Sequence, residues 1–192
     1  MFYFLIFRTV YKVFIFCFYY KRKEMNWFFI TLGYSGLSPK APGTVGTLVS
    51  LPLGMLILIY FDAQTLFLAT ILISIIAIRE INKYETKSNI HDDKRIVIDE
   101  LAGMWFALSV APAISISIGE VTDLQNGFLV QSLLSFVLFR YFDITKPSII
   151  GRLDREAKGG VGVVADDIVA GFVAGVLSAV IWQGWLQLQN MM

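Results

Sequence analysis

The segment that decides how this chain is organised reads RYFDITKPSIIGRLDREAKGGVGVVADDIVAGFVAG and runs from Arg140 to Gly175. It combines basic and acidic side chains with a glycine-rich turn, and it continues directly into an apolar stretch. We expect that apolar stretch to be a helix that begins at Asp166 and Asp167. Adjacent carboxylates beside a lipid-facing helix are costly unless a cation holds them. The segment therefore predicts a metal site at a membrane surface.

A second acidic pair, Asp99 and Glu100 in the sequence RIVIDELAG, has the same setting before another apolar stretch. Acidic residues at helix N-termini are also ordinary stabilising caps, which is the simpler interpretation of either pair alone. Two such pairs at membrane boundaries favour a shared site. Because Mg²⁺ prefers oxygen ligands together with substrate phosphate, we expect all four carboxylates to bind Mg²⁺.

The composition indicates an integral membrane protein. The 192 residues are 56% hydrophobic with a mean hydropathy of +0.66, and only 16% are charged, whereas soluble domains average about 25%. The single cysteine excludes a disulfide framework and a cysteine metal cluster, and the single histidine excludes mechanisms that need two histidines. We therefore expect an all-α membrane helical bundle whose cytoplasmic loops form the site. Residues 25–192 would be its one domain, preceded by a hydrophobic and basic extension at 1–24.

Apolar stretches predict about five membrane spans, with a polar loop at 143–165 before the last of them. The spans are expected at residues 44–61, 65–78, 101–118, 127–142 and 168–186. All 16 lysines and arginines fall in segments 1–43, 79–95 and 140–158, and none falls in the alternate loops. By the positive-inside rule, the basic segments face the cytoplasm and the C-terminus lies outside.

The same topology predicts the chemistry of the cytoplasmic surface. Spans one, three and five begin there, and helix N-termini bind phosphate readily. Thr44 begins the first span, and Lys40 and Lys146 lie on the same side. This surface therefore combines anion-binding helix ends, carboxylates and cations at the depth of lipid headgroups. It predicts metal-assisted phosphoryl chemistry on an anionic phospholipid, with no nucleic-acid partner and no indication of oligomeric state.

Four blocks of the sequence resemble, in order, the phosphatidylglycerophosphatase A family. They are SPKAPGTVGT at 38–47, IVIDELAGMW at 96–105, RYFDITKPSIIGRLDR at 140–155 and GGVGVVADDIVAG at 159–171. The resemblance implies a Mg²⁺-dependent phosphatase of the bacterial inner membrane that hydrolyses phosphatidylglycerophosphate to phosphatidylglycerol and phosphate. Matching acidic positions are Asp99, Glu100, Asp143, Asp166 and Asp167, and matching basic and loop positions are Lys40, Thr44, Lys146, Arg152 and Arg155.

These positions suggest a division of roles. The two acidic pairs would supply most metal ligands, with Asp143 as a further ligand or a base. Lys146, Arg152 and Arg155 would offset phosphate charge in the transition state, and Lys40, Thr44 and Lys146 would bind substrate. Direct attack by water is expected, since no cysteine or histidine nucleophile is evident, while an aspartyl-phosphate route stays open.

Two alternatives come from other functional classes. A phosphatidyl-alcohol transferase is also a metal-dependent membrane enzyme, but its spaced aspartate signature is absent from this sequence. A transporter or assembly protein would be expected to carry polar groups within its spans, whereas the charges here collect at one side.

Overall fold

The computed structural model describes residues 27–91, 93–111, 126–147, 150–151 and 159–191. These residues form helices and connecting turns with no strand among them. The five main helices are α1 (Pro42–Tyr60), α2 (Ala63–Ser88), α3 (Ile98–Val110), α4 (Phe128–Thr145) and α5 (Gly159–Met191), and a short 3₁₀ helix (Ser35–Leu37) precedes them. The predicted all-α architecture is confirmed. The extension at 1–24 lies outside the described residues, so the predicted domain boundary stays a prediction.

Helix α2 joins the predicted second span and the charged segment after it into one element of 26 residues. It begins at the N-cap Asp62, whose side chain accepts a 2.6 Å hydrogen bond from the Thr65 N–H, and it ends where Asn89 turns left-handed at φ 53°. At 1.5 Å per residue the helix is about 39 Å long. It can therefore cross a bilayer core of about 30 Å and continue into the aqueous phase.

Helix α3 is shorter than the predicted span at 101–118. It ends at Val110, and Ala111 is extended because a residue that precedes proline, here Pro112, is disfavoured in helical conformation. Its 13 residues cover only about 20 Å. The helix predicted to run without a break through 101–118 is therefore interrupted at Ala111, and residues 112–118 lie outside the described part.

Helix α5 begins earlier than predicted, at Gly159 rather than beside Asp166. Gly159 has φ +68°, and the N–H of Gly160 donates a 2.8 Å hydrogen bond to Asn82 Oδ1 of α2, so α2 supplies a cap. A Cβ at Gly160 would lie 2.5 Å from the Ile78 carbonyl oxygen. The glycines therefore permit close helix packing where the sequence predicted a loop, and Asp166 and Asp167 lie about two turns inside the helix.

The loop predicted to begin at Asp143 also begins later, because α4 continues through Thr145. Asp143 consequently lies in the last turn of a helix. Lys146 is its C-cap and adopts a left-handed conformation at φ 43°. The C-terminal end of α4 therefore determines where the side chains of Asp143 and Lys146 point.

Helices α3 and α5 form the centre of the bundle, and α3 also packs against α1, α2 and α4. Small residues let the two central backbones approach closely: a Cβ at Gly171 would lie 2.2 Å from the Gly103 carbonyl oxygen, and one at Gly175 would lie 2.6 Å from that of Ala107. A face of small residues on α5 is therefore a packing surface. It is formed by the buried residues Ala170, Gly171, Ala174, Gly175 and Ser178.

The outer surface of the bundle suits a lipid environment. Four of the described helices, α1, α2, α4 and α5, are long and apolar enough to cross a membrane. Their outward faces carry large apolar side chains such as Leu68, Leu72 and Ile75 of α2, each exposed by at least 58%. The protein is an integral membrane helical bundle, in which the shorter α3 is enclosed by the other helices.

Candidate active site

One end of every main helix contributes to a single cavity of about 800 Å³. The cavity collects the starts of α1 and α3, the ends of α2 and α4, and the first turns of α5. These are the ends that border the basic segments of the sequence. Its charged lining residues are Glu85, Asp93, Lys94, Asp99, Glu100, Arg140, Asp143, Lys146, Asp166 and Asp167.

Three carboxylates from two helices form a tight cluster in this cavity. Asp99 and Glu100 lie in the first turn of α3, and Asp167 faces them from α5. One oxygen atom from each of the three side chains lies within 4.8 Å of the others. The structure thus brings together acidic groups that are nearly seventy residues apart in the sequence.

The donor atoms of this cluster fit a divalent metal. Among the described residues, Asp99 Oδ1 and Glu100 Oε2 are buried without a hydrogen-bond partner. Buried carboxylate oxygens are costly unless a hydrogen bond or a cation satisfies them. Asp99, Glu100 and Asp167 would therefore hold an oxygen-preferring divalent cation such as Mg²⁺.

Asp166 has a different environment from its neighbour. Consecutive helical residues point about 100° apart, and Asp166 faces α4, where Lys146 Nζ donates a 2.7 Å hydrogen bond to its Oδ2. Asp166 is buried while the Lys146 side chain is one-third exposed to the cavity. The predicted acidic pair is therefore divided between the carboxylate cluster and an ion pair.

Asp143 belongs to a second ion-paired group. Arg140, one helical turn earlier, donates a short hydrogen bond to Asp143 Oδ2. The same guanidinium lies 4.0 Å from Glu100 Oε1 and donates a 3.4 Å hydrogen bond to Thr47 Oγ1 of α1. Asp143 lines the cavity together with Asp167. Arg140 therefore connects Asp143 with Glu100 of the carboxylate cluster.

The segment after α2 forms the outer wall of the cavity. Its Asp93 accepts hydrogen bonds from Arg95 (2.6 and 2.9 Å) and from the Tyr84 hydroxyl group (2.6 Å). The hydrogen bonds from Arg95 hold the pKa of Asp93 well below its usual range, so it stays ionised. Nearby, the exposed His91 Nδ1 lies 3.5 Å from the buried carboxylate of Glu85.

The other four predicted site residues are not seen to line the cavity. Lys40 is exposed and Thr44 half-buried, and the cavity is lined instead by their neighbours Ala41, Pro42 and Gly43. Arg152 and Arg155 lie outside the described residues. The roles assigned to these four residues, and the ligand roles of the carboxylates, stay predictions.

The sequence interpretation missed four charged residues of the cavity, which are Glu85, Asp93, Lys94 and Arg140. Arg140 was assigned only to the basic cytoplasmic surface, because its contacts with α1 and α3 depend on helix packing. Glu85 could have been found from spacing: Ala77, Ile81 and Glu85 recur every four residues and all three are buried. An acidic residue in register with a buried helical face is a candidate site residue.

The chain is similar in sequence to known proteins. The profile of the family Phosphatidylglycerophosphatase A matches residues 28–182. The phosphatidylglycerophosphatase A of Escherichia coli is 35% identical over 79% of this chain and 81% of its own length, and that of Haemophilus influenzae is 30% identical over 79% and 85%.

A putative phosphatidylinositol-3-phosphatase of Bacteroides thetaiotaomicron is 34% identical over 76% of this chain and 86% of its own length. No solved structure matches the chain significantly. The family profile covers most of the sequence, including every described residue of the carboxylate cluster. This chain belongs to the phosphatidylglycerophosphatase A family.

Proposed function

We propose that this protein is a Mg²⁺-dependent lipid phosphatase that hydrolyses phosphatidylglycerophosphate to phosphatidylglycerol and inorganic phosphate. The observation that carries the proposal is the cluster of Asp99, Glu100 and Asp167 in a cavity at the ends of membrane helices. Such a cluster suits a hard divalent cation and, through it, a phosphate group. The names of two curated relatives supply the substrate.

In this proposal the three clustered carboxylates hold Mg²⁺. When bound there, the ion would supply Lewis-acid stabilisation of phosphoryl charge and would lower the pKa of a bound water molecule. Asp143, which lines the same cavity, accepts a proton from the attacking water and returns it to the departing alkoxide, so that phosphatidylglycerol leaves as the alcohol. Lys146 borders the same cavity, and its ammonium group offsets charge on the phosphoryl group as the ester bond breaks. Asp166 then serves mainly to orient Lys146 through the 2.7 Å hydrogen bond.

We place the site at the cytoplasmic face of the bacterial inner membrane. The support is the distribution of the 16 basic residues in the sequence, which are confined to segments 1–43, 79–95 and 140–158. Each of these segments has described residues that line the cavity. Phospholipid headgroups and a headgroup phosphate would reach the helix ends from that side. The arrangement requires the C-terminal end of α5 to face the opposite side.

The choice of headgroup has a second candidate. One relative of similar identity is named a putative phosphatidylinositol-3-phosphatase. A cavity of about 800 Å³ is within the range that holds a drug-sized ligand, so it has space for a headgroup alcohol beyond the phosphate. In either case Glu85, His91 and Lys94, which line the cavity, would be available to contact the headgroup alcohol.

Phosphate release by purified protein tests the proposal. The substrates are phosphatidylglycerophosphate, phosphatidylinositol 3-phosphate and phosphatidic acid in mixed micelles, each with Mg²⁺ and with EDTA. We expect Mg²⁺-dependent release that is fastest from phosphatidylglycerophosphate. If phosphate is released faster from phosphatidylinositol 3-phosphate, that lipid and not phosphatidylglycerophosphate is the preferred substrate. Phosphate release that is unaffected by EDTA would refute the metal dependence.

Matched variants separate the site from the fold. Asp167→Asn keeps the side-chain shape and removes one charge of the cluster, so it should lose at least about 100-fold in activity while it still inserts and folds. Glu80→Gln is the matched control, because it also replaces a carboxylate by an amide. Glu80 lies in the half of α2 nearer the cavity but does not line the cavity, and it pairs with Lys83. The variant should retain full activity.

A further inference from the structure

Arg140 connects three helices at the cavity. From the last turns of α4 it hydrogen bonds to Asp143 of the same helix and to Thr47 of α1, and it lies 4.0 Å from Glu100 of α3. Its side chain is only 13% exposed. The guanidinium occupies space beside Gly43, where a Cβ would lie 3.2 Å from Nη2 and 2.3 Å from Glu100 Oε1. The contact depends on glycine at that position of α1.

The charges around Arg140 explain why a cation is needed there. Five carboxylates line this part of the cavity, on α3, α4 and α5, and like charges repel strongly where water is largely excluded. Within the described residues, Lys146 pairs with Asp166, and Arg140 pairs with Asp143 and approaches Glu100. Within the part of the chain that the structure describes, Arg140 is therefore a cation that contacts the three-carboxylate cluster through Glu100.

We propose that Arg140 is a positioning residue that assembles the metal site before a metal binds. It holds the Glu100 carboxylate toward Asp99 and Asp167, and it fixes Asp143 beside them. This inference rests on the proposed metal-dependent function. It predicts that loss of Arg140 lowers the thermal stability most when no divalent cation is present. When a divalent cation is bound, loss of Arg140 should mainly lower kcat.

The test uses Arg140→Gln, which removes the charge, Arg140→Lys, which retains it, and Arg79→Gln as a control. Arg79 is an exposed arginine of α2 outside the cavity wall. Thermal unfolding is measured for the full chain in detergent, in EDTA and in saturating Mg²⁺, together with kcat and KM for phosphatidylglycerophosphate.

In the wild type and Arg79→Gln, Mg²⁺ should raise Tm, because a ligand that binds the folded state stabilises it. In Arg140→Gln, Tm in EDTA should fall by about 5 °C or more, and Mg²⁺ should recover most of that loss because it supplies the missing positive charge. Its kcat at saturating Mg²⁺ should still fall at least about tenfold with a smaller change in KM, since Asp143 is no longer held in place.

Arg140→Lys provides the second measurement, including the case in which Arg140→Gln fails to fold. A single ammonium group cannot bridge Glu100 and Asp143 as a guanidinium does. This variant should therefore keep most of the stability in EDTA but lose kcat. A wild-type kcat in Arg140→Lys would overturn the positioning role.

Two other outcomes would overturn it for distinguishable reasons. If Arg140→Gln lowers Tm equally with and without Mg²⁺, Arg140 contributes only to helix packing. That result would not argue against the metal site. If Mg²⁺ does not raise the Tm of the wild type, the protein has no Mg²⁺ site of the kind proposed. The proposed metal-dependent function would then be wrong as well.

Discussion

The close approach of α3 and α5 predicts a large effect of a single methyl group. A Cβ at position 171 would lie 2.2 Å from the Gly103 carbonyl oxygen and 2.9 Å from its carbon, whereas ordinary contacts begin at 3.4 Å. Both obstacles are helical backbone atoms, so Gly171→Ala must move the two helices apart by about 1 Å. Overpacking of this kind costs about 1–3 kcal/mol, which corresponds to a decrease in Tm of about 5 °C.

The displacement should reach the carboxylate cluster directly. Gly171 follows Asp167 by one helical turn on the same face of α5, and Gly103 follows Glu100 by about one turn of α3. Oxygens that now lie within 4.8 Å of each other would separate. Since a misplacement of about 1 Å can cost about 100-fold in rate, we expect kcat for phosphate release to fall by about that factor.

The assay measures thermal unfolding in detergent and phosphate release at saturating lipid and Mg²⁺. Gly184→Ala is the matched control on the same helix, because nothing lies within 4 Å of its added Cβ. It should keep full activity and be as stable as the wild type or slightly more stable. Activity of Gly171→Ala within about threefold of the wild type would refute the link between helix spacing and catalysis.

Three further predictions follow from the site and the topology. Asp166→Asn should reduce phosphate release less than Asp167→Asn, because Asp166 pairs with a lysine rather than with the cluster; equal losses would contradict this division. The Asp93 carboxylate, whose pKa is held low, should stabilise the fold fully above about pH 4 and lose that contribution as the pH falls further. Asp93→Asn should therefore destabilise the protein by about 1 kcal/mol at pH 7 and less at pH 3, in thermal unfolding across that range; a constant difference would exclude a role of its charge. With the native cysteine replaced, a membrane-impermeant thiol reagent should label a cysteine at Asn190 in intact cells but not one at Lys87, and labelling at Lys87 would reverse the orientation.

Much of the architecture could be predicted from the sequence, because apolar runs and charge distribution are properties of single segments. The convergence of Asp99, Glu100 and Asp167 was also predictable. Carboxylates that border apolar helices on the same side of a membrane have few ways to be stabilised apart from a common cation. The structure places these three side chains together.

The remainder depends on packing between segments. The glycines at 159–162 predicted a loop because glycine is a poor helix former, whereas contact with Ile78 and Asn82 of α2 makes them a helix start. The division of Asp166 from Asp167 depends on the rotation of α5 relative to α3 and α4. The partners of Arg140 on α1 and α3 depend on the same packing.

Anomalous diffraction from the protein bound to Mn²⁺, an oxygen-preferring substitute for Mg²⁺, tests the central claim most directly. We expect an anomalous difference peak for one Mn²⁺ ion that is coordinated by carboxylate oxygens of Asp99, Glu100 and Asp167, each about 2.2 Å from the ion. The peak should disappear in Asp167→Asn and persist in Glu80→Gln. A Mn²⁺ peak bound elsewhere in the cavity without these three side chains would contradict the account.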